Sequence, residues 1–135
     1  MKNRIGYLLL TGLLLMNAGK AQNNNQNMEN EKNYSVEIIR YNIAKDQQPS
    51  FEQAYTDAGK YLKSSKYCLG YQVIHGKEEP NHYIVIIHWT SAEEHINGFR
   101  KSPEFMPFFN LVKPFFNNIE EMKHYDLTPI AWQKD

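Results

Sequence analysis

The sequence predicts an α+β fold of the ferredoxin-like kind, β-α-β-β-α-β, with a four-stranded antiparallel sheet carrying both helices on one face. Three observations lead there. Between residues 35 and 127 the apolar residues repeat alternately at strand and helix spacing, in that order. Residues 82–89, HYIVIIHW, are apolar on both faces apart from two histidines. The chain has 135 residues, enough for one domain and too few for a second.

Charge and cysteine content exclude several classes. The 15 Lys+Arg and 15 Asp+Glu balance, which argues against a nucleic-acid or membrane-surface binder, since either would show a basic excess. Cys68 is the single cysteine, which rules out an internal disulfide framework and a cysteine-based zinc site. It reads as a small buried hydrophobe, with reactive-thiol chemistry as the alternative.

The N-terminus reads as an export signal. Lys2 and Arg4 precede an apolar run, Ile5 to Met16, and Gly19-Lys20-Ala21 places small residues where a signal peptidase reads. Cleavage is expected before Gln22, giving a signal peptide over 1–21; an uncleaved anchor is the competing reading, although the run is shorter than the ~20 residues of a bilayer span. Removing Lys2, Arg4 and Lys20 leaves 12 basic against 15 acidic groups, a net charge of −3. Residues 22–33, QNNNQNMENEKN, lack the apolar area to offset ordering their backbone, and form an expected flexible leader. The folded unit is placed at 34–127, followed by a short tail over 128–135.

Within that unit, 35–44 (SVEIIRYNIA) is β-branched and aromatic enough for a strand. Pro49-Ser50 opens a helix in which Phe51, Ala54, Tyr55, Ala58 and Leu62 share one face. Residues 68–75 read as a second strand, 76–81 as a turn rich in Gly, Glu, Pro and Asn, and 82–89 as a third strand. Ser91-Ala92-Glu93-Glu94 is a capping box, and the helix it starts is expected to bury Ala92, Ile96 and Phe99. Ser102-Pro103 restarts a helix with Pro at its first position, with Phe105, Phe108, Phe109 and Val112 as its stripe and a stop near Pro114. Residues 119–127 make the last strand.

In this topology the first and third strands lie centrally. Val85, Ile87 and Trp89 point one way and Ile84 and Ile86 the other, so both faces need cover. The helices supply one. No segment remains for the other, and a second copy of the chain is the simplest solution. A homodimer is expected.

The run Trp89 to Phe109, WTSAEEHINGFRKSPEFMPFF, resembles the antibiotic biosynthesis monooxygenase family in its strand ending in Trp, its Ser-x-x-Glu helix start and its following Ser-x-x-Phe helix. Ile119-x-Glu121-Met122-x-His124-Tyr125 is similar to that family's closing strand, and the likeness spans residues 34–127. The resemblance implies a dimeric α+β barrel. It implies one of several activities: cofactor-independent oxidation of quinols or phenols, haem degradation, or isomerisation. Haem degraders carry an Asn, a Trp and a His at positions that fall near Ile39, on Gly98 and on Phe108 here, and all three differ. Haem degradation is therefore disfavoured.

No phosphate-binding Gly-rich loop, nucleophile elbow or His-Glu-x-x-His motif is present. The five histidines are scattered, and spacing assigns no metal ligands, although a histidine-carboxylate site assembled in space stays open. An electron-rich phenol or hydroquinone, once deprotonated, can itself pass an electron to O2. The protein then needs an aromatic pocket, a base and donors for the oxyanion. His95, at the edge of the buried helical face, is the candidate base, the competing reading being a boundary histidine bonded to sheet or solvent. Trp89, Phe99, Phe105, Phe109, Tyr41 and Tyr125 are candidate pocket residues, each also a candidate for ordinary core.

The expected function is cofactor-independent monooxygenation of a small aromatic or quinol-like substrate with O2, by an exported homodimer that needs no metal or flavin, nucleic acid or membrane. A non-catalytic module for a hydrophobic ligand or haem, and an isomerase on the same barrel, are the alternatives.

Overall fold

The computed structural model describes residues 34–134; the expected signal peptide and leader lie outside them. Strand β1 spans Ser35–Asn42, helix α1 Gln48–Ser64, β2 Cys68–His75, β3 His82–Trp89, α2 Ala92–Asn97, α3 Phe105–Val112 and β4 Ile119–Asp126. Single 3-10 stretches, Phe99–Lys101 and Lys113–Asn118, follow α2 and α3. The sheet order is β2-β3-β1-β4, all antiparallel, which puts β1 and β3 in the centre as expected. This is the ferredoxin-like α+β arrangement.

Strand alternation sorts the side chains. On β3, Tyr83, Val85, Ile87 and Trp89 are all buried, opposite Tyr41, Ile39, Glu37 and Ser35 of β1. Phe51, Tyr55, Ala58 and Leu62 of α1 close over this face, and fully burying side chains such as Phe51 and Leu62 contributes about 1.5–3 kcal/mol each. Polar contacts also lie inside, among them the hydroxyls of Tyr41 and Tyr55, 2.7 Å apart. Burial pushes the Tyr41 phenol up to about 12 and that of Tyr55 well above its usual value, so both stay neutral.

Several boundaries shift from the sequence reading. β1 leaves the ladder at Asn42 rather than at 44, because Ile43 bonds instead to the Asn81 carbonyl (2.7 Å) and the Gln47 amide closes a turn on Ala44. α1 begins at Gln48, with Pro49 still in the first turn, where its missing donor costs nothing. Ser102 does not cap α3. Its hydroxyl donates to the Phe99 carbonyl (2.8 Å), the chain turns through Pro103 and Glu104, and the helix starts at Phe105. Beyond Val112 the chain tightens to 3-10 geometry around Pro114 instead of stopping. In α2 the buried residue is His95, while Ile96 is 45% exposed. Across α2 and the 3-10 turn that follows it, the i, i+4 pair His95 and Phe99 faces inward together, leaving Ile96 on the outer side.

The opposite face of the sheet carries Val36, Ile38, Ile84, Ile86 and Ile74, and no described element packs on it. Among the described residues no helix is long and apolar enough to cross a membrane.

Gly98 closes α2 where the chain passes tightly beside Tyr67. A Cβ there would meet the Glu94 carbonyl oxygen and lie 2.5 Å from the Tyr67 ring. Since backbone cannot yield cheaply, Gly98→Ala should cost about 1–3 kcal/mol. Urea unfolding of wild type and variant checks this; an unchanged midpoint would show that the turn relaxes freely.

Candidate functional site

Glu37 is a charged residue on the core-facing parity of a central strand. The residue is 2% exposed. Trp89, at the end of the neighbouring strand, donates its indole N–H to Glu37 Oε2 at 3.1 Å. Ser91 then caps α2 by accepting the Glu94 amide (3.0 Å), which fixes where the first turn stands over the sheet. From that turn His95, 4% exposed, lies flat on Trp89 with ring centroids 4.2 Å apart and planes 8° from parallel. Phe99, one turn on, leans on the same indole at 4.9 Å.

β4 supplies the third polar side chain. Its register places His124 directly opposite Glu37, so His124 points toward the helices. His95 Nδ1 and His124 Nε2 are 2.7 Å apart, and Arg100 Nε donates to His95 Nε2 at 3.4 Å. These contacts assign the protons: His95 Nε2 accepts from Arg100, so His95 Nδ1 carries the hydrogen and donates to His124 Nε2. The result is a directed chain from guanidinium to imidazole to imidazole.

Burial, reinforced by Arg100 and then His124, pushes His95 down to about 3, and burial followed by Arg100 lowers His124 as well. Both rings are neutral at pH 7. The 3.8 Å approach of Glu37 Oε2 to His95 Nε2 is therefore not an ion pair. Burial raises Glu37, with the Trp89 N–H and Arg100 pulling it back. An isolated imidazole titrates near 6.5; here the protein gives up that poise for a fixed, neutral hydrogen-bonded pair.

Among the candidate residues read from sequence, His95, Trp89, Phe99, Phe105 and Phe109 form one run of ring contacts. Trp89 and Phe99 are fully buried, and Phe105 and Phe109 half-buried. Tyr41 is buried elsewhere, against Phe51 and Tyr55. Tyr125 lies opposite Val36 on the outer sheet face, where its hydroxyl donates to Glu121. Phe99 and Phe108 pack together in the space over Trp89. Two open clefts flank α1, one against α3 and one of about 510 Å³ against β2, and neither includes His95. The imidazole pair comes nearest to solvent at the β4 edge, where His124 is half-buried, Met122 is 37% exposed and Arg100 is exposed.

The sequence reading passes over Glu37 and gives His124 a cross-strand or solvent-facing role rather than a place in the site. The signal for Glu37 was its parity with Ile39 and Tyr41; His124 had none, because its partner is set by sheet register. One ligand atom from each of Glu37, His95 and His124 falls within 4.8 Å of the others, a grouping able to hold a metal ion.

A model of the family described as antibiotic biosynthesis monooxygenase matches residues 35–110, more than half of the chain. The protein belongs to this family. It is 24% identical over 89 residues to the uncharacterized protein YczJ of Bacillus subtilis (strain 168), covering 66% of this chain and 94% of that protein. Among solved structures, a Bordetella bronchiseptica protein named for the same family superposes with a TM-score of 0.60 at 19% identity, covering 73% of this chain and 99% of that one. SnoaB, a cofactor-independent oxygenase from Streptomyces nogalater, superposes with a TM-score of 0.55 at 15% identity, covering 76% and 96%. At these identities the structural likeness establishes the fold.

The depressed histidines predict a pH dependence of stability in chelator-treated protein. Above 6.5 both states hold neutral imidazole and nothing is lost. As pH falls from 6.5 toward 3 the unfolded chain takes up protons that folded His95 refuses, so stability declines. Glu37, raised in the folded state, works the other way just above its ordinary value of 4.5. Urea midpoints measured between pH 7 and pH 5 should fall, and fall less steeply in His95→Asn; equal slopes would contradict the assignment.

Proposed function

We propose that the protein oxidises a small quinol-like or other electron-rich aromatic substrate with O2, without a resident metal or flavin, at the β4-side opening onto His124 and Arg100. The observation that carries this is the neutral His95–His124 pair, 2.7 Å apart, with a guanidinium at its far end. A phenolic hydroxyl that takes the place of the His95 Nδ1–H at His124 Nε2 can hand its proton to that nitrogen, while Arg100 stabilises the phenolate left behind. A low imidazole basicity makes the cation essential: the proton moves only because the anion is held. The electron-rich phenolate then reduces O2, and the substrate supplies the electrons. His95 acts through His124, orienting its ring. Family membership and the fold shared with a cofactor-independent oxygenase support the reading.

Oxygen uptake with a panel of hydroquinones should be measurable and should drop roughly 10²–10⁴-fold in His124→Ala, the range for loss of a general base. His95→Ala should also fall sharply. A folded wild type inactive across the panel would overturn the proposal. Tight retention of an apolar ligand with no oxygen consumption would instead mark a binding module without turnover.

The protein is further proposed to be exported and to work as a homodimer joined through the outer sheet face, where the open isoleucines of β1, β2 and β3 lie. Sedimentation at high micromolar concentration should show a dimer, and Ile86→Lys should shift it to monomer. A wild type that stays monomeric contradicts this.

A further inference from the structure

We propose that Glu37, His95 and His124 form a binding site for one divalent first-row transition ion. The three ligand atoms lie within 4.8 Å of one another, and an ion about 2.0–2.2 Å from each would need them roughly 3–3.5 Å apart. A side-chain adjustment of about 1 Å supplies the difference. Two imidazoles and one carboxylate are a borderline donor set, suited to zinc, cobalt or iron rather than to magnesium or calcium.

Three further features fit an ion. Each neutral ring carries one unprotonated nitrogen, so no histidine charge must be displaced. The indole of Trp89 holds the Glu37 carboxylate by an N–H bond of 3.1 Å, the kind of outer contact that orients a metal-binding carboxylate. Arg100 already places a cation beside His95, at 3.4 Å, from an exposed position. It stands where an ion would balance the buried carboxylate, and it can swing into water when one arrives.

The three ligands come from different elements, β1, α2 and β4, so binding ties the sheet edge to the helix. The site shares His95 and His124 with the proposed oxidation. An ion bound there occupies the nitrogens that would handle the substrate proton, so metal and cofactor-free turnover compete; only this consequence rests on that reading.

The test is titration of the full, chelator-stripped chain with Co2+, followed by visible absorption and competition with Zn2+. One Co2+ per chain should bind, with the intense visible bands of a four- or five-coordinate site, and Zn2+ should displace it. His124→Ala and Glu37→Gln, which retains an acceptor for Trp89, should each weaken binding at least tenfold. Arg100→Ala should tighten it by removing the competing cation. Absence of Co2+ bands from a chain shown to be folded by circular dichroism overturns the site. So does binding that survives both ligand substitutions, which would place the ion on surface histidines. Oxygen uptake by the stripped protein is a separate readout and leaves this result untouched.

Discussion

The indole N–H of Trp89 on the Glu37 carboxylate is the contact around which the rest is arranged. A carboxylate on the inner face of a central strand is costly to bury unless its oxygens are bonded. Trp89 meets that demand from the neighbouring strand, and its ring then serves as the platform on which His95 lies. His95 sits inward because of that platform and because His124 stands opposite Glu37 on the other side of β1. Four polar groups from four elements thus satisfy one another inside an aromatic core. Such a network holds together only as a unit.

Much of the architecture was legible in the sequence. The switch of hydrophobic period named all four strands and the helical regions in order, and the doubly apolar third strand announced its central place. Alternation put Val85, Ile87 and Trp89 together on one face of that strand; that the helices cover this face is read from the structure. The family likeness, carried by the stretch from Trp89 to Phe109, agreed with the later comparison. What local pattern could not settle were contests between neighbours. Hydrophobicity favoured Ile96 over His95 for the buried side of α2, yet partners two strands away decided for the histidine. Ser102-Pro103 looked like a helix start, but the Ser102 hydroxyl had a nearer acceptor in Phe99.

The site was half legible for the same reason. His95 could be singled out because it borders an apolar helical face. Its companions Glu37 and His124 come from the first and last strands in the sequence, and only β1–β4 register joins them. The aromatic residues divide similarly: those near Trp89 share one chain of contacts, whereas Tyr41 and Tyr125 belong to a different part of the core and to the other sheet face. The fold thus positions polar chemistry at the β4 edge, where Met122 and His124 remain open, rather than in a sealed chamber beneath the helices.

Direct observation of the histidine ring nitrogens by 15N NMR tests this account most sharply. In metal-free protein His95 should carry its proton on Nδ1, share it with His124, and stay neutral as pH falls from 8 through 5. Ring shifts that identify the Nδ1-protonated form and do not move across that range are the expected result. A His95 that titrates with a midpoint near 6.5 would mean a solvated, unpaired imidazole, and the buried network described here would not exist.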